Sequence, residues 1–200
     1  MKIDELNNLN NSISSFEFLK KTSEKYWETS ELILCWGLQI QQNSKWKKGL
    51  TESELIDFQN KIGFEFSESL KNYFRTMNGL DKFGININNG EDEIEYGTIF
   101  YSYPEDIELI KSEIKWILEE NFVTKKDIES KAIPNIFPYY GNRYLILNNQ
   151  EPVLSMQGTD ILYWAENLCK GLAQDIFEFN HNKIKKKKLN ETEFWENKVL

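Results

Sequence analysis

The spacing of hydrophobic positions changes along this chain, and the changes divide it into helices, then strands, then a closing helix. From about Ser14 to Cys35, Leu19, Tyr26 and Ile33 recur at intervals of seven, and Phe16, Trp27 and Leu34 widen the same face. That spacing predicts an amphipathic helix. Residues 1–13 have no such period and read as loosely ordered, while Gln39 to Lys48 is polar and reads as a linker. Between Gly49 and Gly79 the punctuation is explicit. Thr51 followed by Glu54 forms a capping box, in which each side chain satisfies an orphan backbone N–H of the first turn. Leu55, Phe58 and Ile62 share one face, and Gly63 supplies a left-handed stop. Ser67 caps a second helix with Glu68 in its first turn, Leu70, Tyr73, Phe74 and Met77 form the buried stripe, and Asn78-Gly79 ends it.

After Gly79 the β-formers take over. Phe83 to Ile87 and Ile94 to Tyr103 read as strands joined across Asn88-Asn89-Gly90. Pro104 then opens a helix at its first position, with Ile107, Ile110, Ile114 and Ile117 on the buried side, Trp116 flanking them, and an end near Asn121. Four further strands, Ile133 to Phe137, Tyr144 to Leu147, Val153 to Met156 and Ile161 to Trp164, follow with short breaks at Pro138, Gly141, Asn148-Asn149 and Gly158. Leu168, Leu172, Ile176 and Phe179 describe the closing helix. This order predicts an α+β fold, a mostly antiparallel sheet with helices covering one face and an extra N-terminal helix. The expected organisation is an N-terminal helical extension over 1–45, the α+β domain over 46–180 and a lysine-rich tail over 181–200.

The order within Gly49–Gly79 resembles the opening of the SUKH superfamily, whose members include a fungal cell-wall synthesis regulator and many bacterial toxin-immunity proteins. Trp46 stands where the family carries a tryptophan ahead of its Gly-Leu step. Ala132-Ile133-Pro134 is similar to the family's Ile-Pro entry into the sheet, Tyr144 to Leu147 to the next strand, and Asp160 to Trp164 to the strand before the last helix. Two positions depart from the pattern: Phe66-Ser67 replaces Leu-Pro, and Tyr140-Gly141-Asn142-Arg143 replaces a Gly-Asp-Gly-like step. The resemblance spans roughly Trp46 to Phe179 and implies the fold together with a protein-binding role.

Composition agrees with a globular chain: 13 Phe, 9 Tyr and 6 Trp within 40% hydrophobic content suffice for a core. No apolar run reaches the roughly 18 residues that span a bilayer, and the polar start lacks a signal-peptide core. With Cys35 and Cys169 reading as thiols rather than a disulfide framework, the expected location is cytoplasmic. The net charge is −8. Without the last 20 residues, which hold six lysines and three glutamates, 18 basic and 29 acidic residues remain, a net −11. Such a body disfavours nucleic acid and suits a basic partner.

Candidate chemistry is sparse. A Ser-His or Cys-His system would have to run through His181, the one histidine, at the edge of the lysine-rich tail. Zinc needs four Cys or His ligands, and the chain has three such residues. No phosphate-binding glycine loop occurs. Lys185 to Lys188 lacks the interleaved aromatics and arginines of a nucleic-acid contact and reads as a solvated run. Glu91, Asp92, Glu93 and Glu95 form the densest acidic cluster, expected on an exposed turn and strand start and proposed as the partner surface. Tyr139 and Tyr140, expected between strands, are the candidate aromatic anchors, and Tyr163-Trp164 should turn one ring outward.

These readings converge on a non-catalytic immunity protein that binds a basic toxin domain such as a nuclease, with no cofactor, no metal, no nucleic acid and no membrane involved. The alternatives are a regulatory interaction module of the fungal cell-wall-regulator type, and a hydrolase using the acidic residues.

Overall fold

The computed structural model describes residues 3–29, 32–33, 38–86, 95–130, 133–177 and 194–199. The fold is α+β, with antiparallel sheets and helices. Its first elements differ from the expectation for the N-terminus. A short helix α1 (Ile3–Asn7) already contributes Leu6 to the core, and Leu9 follows it inside. Helix α2 (Ile13–Trp27), capped by Ser12, buries Phe16, Leu19, Ser23 and Trp27 along one side. It stops well before Cys35, because the chain turns into strand β1 (Leu32–Ile33). The polar stretch expected as a linker holds two strands, β2 (Leu38–Ile40) and β3 (Trp46–Lys48). β3 pairs with the distant β4, and β2 pairs with the distant β5 as well as with neighbouring β1, which local polarity does not reveal.

Helix α3 (Glu52–Ile62) has the expected reciprocal Thr51/Glu54 capping box and the left-handed Gly63. Helix α4 (Glu68–Thr76) starts at the Ser67 cap and buries Leu70, Tyr73 and Phe74. Strand β4 (Met77–Leu80) follows directly and pairs with β3, so Asn78-Gly79 lies within a strand instead of merely closing a helix. The buried Asn78 amide accepts from Tyr103 N–H at 2.8 Å and donates to Tyr103 C=O at 2.6 Å. Gly79, at φ 73°, lets the 100–102 backbone approach so closely that a Cβ would lie 2.7 Å from Ser102 Cβ.

Strands β5 (Gly84–Asn86) and β6 (Glu95–Gly97) pair antiparallel and complete a sheet of order β1-β2-β5-β6. The turn expected at Asn88-Asn89-Gly90 lies outside the described residues. Pro104 precedes its helix instead of opening it: α5 (Ile107–Glu120) begins after Asp106 and ends at Asn121 as expected. Ile110 and Ile117 are buried, and Ile107 and Ile114 pack partly buried against the core. A short helix α6 (Lys125–Glu129) follows with its own Thr124/Asp127 capping box.

The meander is present as a four-stranded antiparallel sheet, β7 (Ile136–Tyr140), β8 (Arg143–Ile146), β9 (Val153–Gln157) and β10 (Asp160–Ala165), in the order β10-β9-β8-β7. Helix α7 (Leu168–Phe177) packs on one face, and Leu168 to Ile176 are all buried. It is therefore a central helix with α1, α2 and α4 against it, not an outer cover. The opposite face, with Ile136, Tyr144, Ile146, Leu154, Met156 and Ile161, is covered by Ile117, Val123 and Trp195. Helices thus flank both faces of this sheet, where one was expected. Two apolar stripes must be hidden when alternate residues on both sides of a strand are hydrophobic.

Candidate functional site

Three elements bound a cleft of about 340 Å³. Helix α5 presents Leu109, Glu113 and Trp116, spaced by four and three residues and hence on one side of the helix. The turn between β7 and β8 supplies Gly141 and Asn142, and the β2/β5 pair supplies Leu38 and Asn86. Leu38 and Asn86 are register partners, as are Asn86 and Glu95, so these three side chains share one face of their sheet. Glu95, the first residue of β6, therefore lies on the same sheet face as the cleft residues Leu38 and Asn86.

Hydrogen bonds fix the polar lining. Tyr144 Oη donates to Glu113 Oε2 at 3.0 Å. Burial, together with the nearby carboxylates Glu113 and Asp106, pushes the Tyr101 phenol far above its ordinary value, and burial does the same to Tyr144. Both phenols stay protonated at neutral pH and act as donors or fixed walls, not as bases. Asn86 Nδ2 donates to Glu95 Oε2 at 3.0 Å. Among the described lining residues Glu113 is the single carboxylate, and no Lys or Arg is present. Among the described residues Glu113 has no ion-pair partner.

The sequence-expected site residues are distributed unevenly over this arrangement. Glu95 is exposed at the start of β6, whereas Glu91, Asp92 and Glu93 lie outside the described residues, as do Cys35, His181 and Lys185 to Lys188. Tyr139 and Tyr140 correct the expectation of exposed anchors. They belong to β7, with relative exposures of 0% and 1%. Pro138 is not a break: it sits inside β7, the outermost strand of the meander, beside a register shift. An outer strand tolerates a proline without an N–H to donate. Tyr101 N–H then donates to Tyr139 C=O at 3.1 Å and covers that edge. Tyr140 forms a cleft wall, but Tyr139 faces α7. Trp164 is half-buried and lies against the Arg143 guanidinium, 3.4 Å from carbon to ring centre. Cys169 is buried, and burial pushes its thiol well up, which leaves it inert at neutral pH.

The exposed aromatic residues are others. Trp116 is 37% exposed at the cleft, and Tyr96, on the outer face of the hairpin, is 61% exposed. A second, larger concavity of about 770 Å³ lies between α3, α5 and α6, with Phe64, Ile114, Leu118 and Ile128 in its lining. Its lysines are already neutralised in pairs: Lys111 with Glu108, Lys115 with Glu119, Lys125 with Glu129. Charge therefore sets no preference there. Among the described residues no group of three or more His, Cys, Asp or Glu is placed to hold a metal ion, and no helix is long and apolar enough to cross a membrane. Comparison with protein-family models, with curated proteins and with solved structures finds no match.

Proposed function

We propose that this chain is a non-catalytic immunity protein of the SUKH type, which acts in the cytoplasm by binding one basic toxin domain, such as a nuclease, in a one-to-one complex. The observation that carries the reading is the cleft face. It combines a carboxylate without an ionic partner among the described residues, an exposed tryptophan and leucine, and the exposed Glu95 on the sheet face that carries Leu38 and Asn86. That set suits a basic protein surface, since carboxylates steer a cationic partner and a tryptophan anchors it. The family placement is supported by the Thr51 capping box, the Ser67 cap, the meander and the helix after it, in the order the resemblance implies. A hydrolase of the two-carboxylate kind would need a second acid facing Glu113. The described lining contains one carboxylate.

The test is co-expression with the toxin domain encoded beside this gene, followed by titration of the purified pair. Protection complete at equimolar ratio, with a one-to-one complex on size exclusion, is the expected outcome. Protection by trace amounts, or protection without a complex, would identify an enzyme acting on the toxin or its target. A large partner set with no toxin among it would favour the regulatory module.

A further inference from the structure

We infer that the cleft is a receptor for a single arginine side chain of the partner, which lies against Trp116 and pairs with Glu113. The inference rests on the reading of the protein as a binder of a basic partner and names the group that this binder captures. Leu109, Glu113 and Trp116 form one continuous strip of α5 with Glu113 in the middle, so an alkyl chain laid over Leu109 brings its head to the carboxylate and against the indole. Glu113 is preorganised: its Oε2 accepts the Tyr144 hydroxyl, which fixes the side chain before any ligand arrives. The opposite wall is neutral. Gly141 adds no side chain, and the Asn142 side-chain oxygen accepts from Arg143.

The charge balance selects the ligand class. Arg143 follows Asn142 in sequence, but its guanidinium is paired with Asp175 and stacked on Trp164, and Tyr144, its neighbour, is the residue that reaches Glu113. Lys111, two residues before Glu113 on α5, is paired with Glu108. No cation of the described residues therefore neutralises Glu113, and an anionic ligand would be repelled. A purely apolar ligand would cover a half-buried carboxylate and leave it uncompensated, at a cost that burial of Leu109 and Trp116 would have to overcome. A planar guanidinium satisfies both halves of the site, since it stacks on an indole and presents a fork of donors to a carboxylate. The volume of about 340 Å³ sits at the lower end of small-ligand sites, which suits one side chain.

The probe is the capped tripeptide acetyl-Gly-Arg-Gly-amide, with its citrulline analogue as the isosteric neutral control, titrated into the full chain. The indole N–H resonance of Trp116, assigned by its loss in Trp116→Phe, reports binding. A saturable shift with the arginine peptide is expected, with affinity reduced about fivefold by the citrulline replacement or by Glu113→Gln, the loss of one partly screened ion pair. Glu113→Gln keeps an acceptor for Tyr144, so its melting temperature should stay at the wild-type value and the comparison reads binding alone. Equal response to both peptides, no saturable response, or an unaffected Glu113→Gln would each overturn the assignment. Neutralisation of the toxin with wild-type affinity by Glu113→Gln would sink this anchor and leave the immunity reading standing. Arginine-specific binding by a protein that neutralises no toxin would do the reverse.

Discussion

Arg143 on β8 and Asp175 on α7 form an ion pair inside the core, Nε to Oδ1 at 3.2 Å, with both side chains almost wholly removed from solvent. Arg143 also donates to Ser155 Oγ at 2.7 Å, and Tyr139 Oη lies 3.4 Å from the other carboxylate oxygen. The pair ties the central helix to the sheet at a place where an unmatched charge would be costly, which gives this network more influence on register than on net stability.

The Asp175 carboxyl is pushed up to about 7, because burial outweighs the opposing pull of Arg143 and of its hydrogen-bond partners. The ordinary value of 3.8 applies to the unfolded chain. Between these two values the folded state holds a proton that the unfolded state has released. Stability from this group is therefore fully present below the ordinary value and is lost as the pH rises through about 7. Glu52, Glu54, Asp57 and Asp127, all held below their ordinary values by hydrogen bonds, act with the opposite sign and withdraw stability only as acid protonates them. Thermal melts of wild type and Asp175→Asn across this range should differ in slope, the variant losing the decline toward neutral pH. Parallel curves would show that Asp175 titrates normally.

Gly171 faces the same network from α7. A Cβ built there would lie 2.6 Å from Tyr139 Oη and 3.2 Å from Val153 Cγ2. Alanine is favoured over glycine in a helix by about 0.8–1 kcal/mol, so Gly171→Ala would stabilise an open position. Here the contacted phenol is buried and lies beside Asp175, and overpacking of this sort costs roughly 1–3 kcal/mol. The expected result is net destabilisation in urea denaturation, with much of the cost removed when Tyr139→Phe deletes the blocking oxygen. A stabilised Gly171→Ala would mean that helix and sheet stand further apart than this.

Trp195 provides a third test. It is fully buried on the α5 side of the meander, and its indole N–H donates to Pro134 C=O at 2.9 Å, while Glu196 accepts from Asn148 Nδ2 at 2.6 Å. Trp195→Ala should cost about 3–5 kcal/mol, as truncation of large core aromatics does. Chemical denaturation checks this directly. A loss within experimental scatter would show that the C-terminal segment does not dock in solution.

Local chemistry made part of this fold legible in sequence. The Thr51/Glu54 box, the Ser67 cap, Gly63 and the isoleucines of α5 are signals complete within a few residues, and each is found where it was expected. What escaped depends on partners far along the chain. β2 and β3 are three residues each, too short to show an alternation, and their distant pairing residues lie near Ile85 and Leu80. Pro138 normally marks a break and so suggests a loop at Tyr139 and Tyr140; only the outer position of β7 makes it acceptable within a strand. The cleft left a fainter trace. Leu109, Glu113 and Trp116 form a second stripe beside the isoleucines, and a tryptophan off the buried side of an amphipathic helix was the available clue.

In the proposed complex the acidic residues Glu91, Asp92, Glu93 and Glu95 and the indole of Trp116 should act on different rate constants. Carboxylates that face a basic partner across water accelerate encounter, and salt screens that gain over about 8 Å at physiological strength. Replacing Glu91, Glu93 and Glu95 with Gln and Asp92 with Asn should slow association and flatten its salt dependence, with little change in dissociation or in melting temperature. Trp116 is short-range: its ring is exposed before binding and would be buried against the partner, so Trp116→Ala should leave association nearly unchanged and speed dissociation by roughly tenfold or more, the size of an interface anchor. Surface plasmon resonance against the toxin domain at low and high salt separates the two effects. If the quadruple variant associates normally at every salt concentration while Trp116→Ala dissociates faster, the acidic cluster serves solubility only and the cleft alone is the contact. If neither variant changes either rate, the interface lies elsewhere, and the apolar groove lined by Phe64, Ile114 and Leu118 becomes the surface to test next.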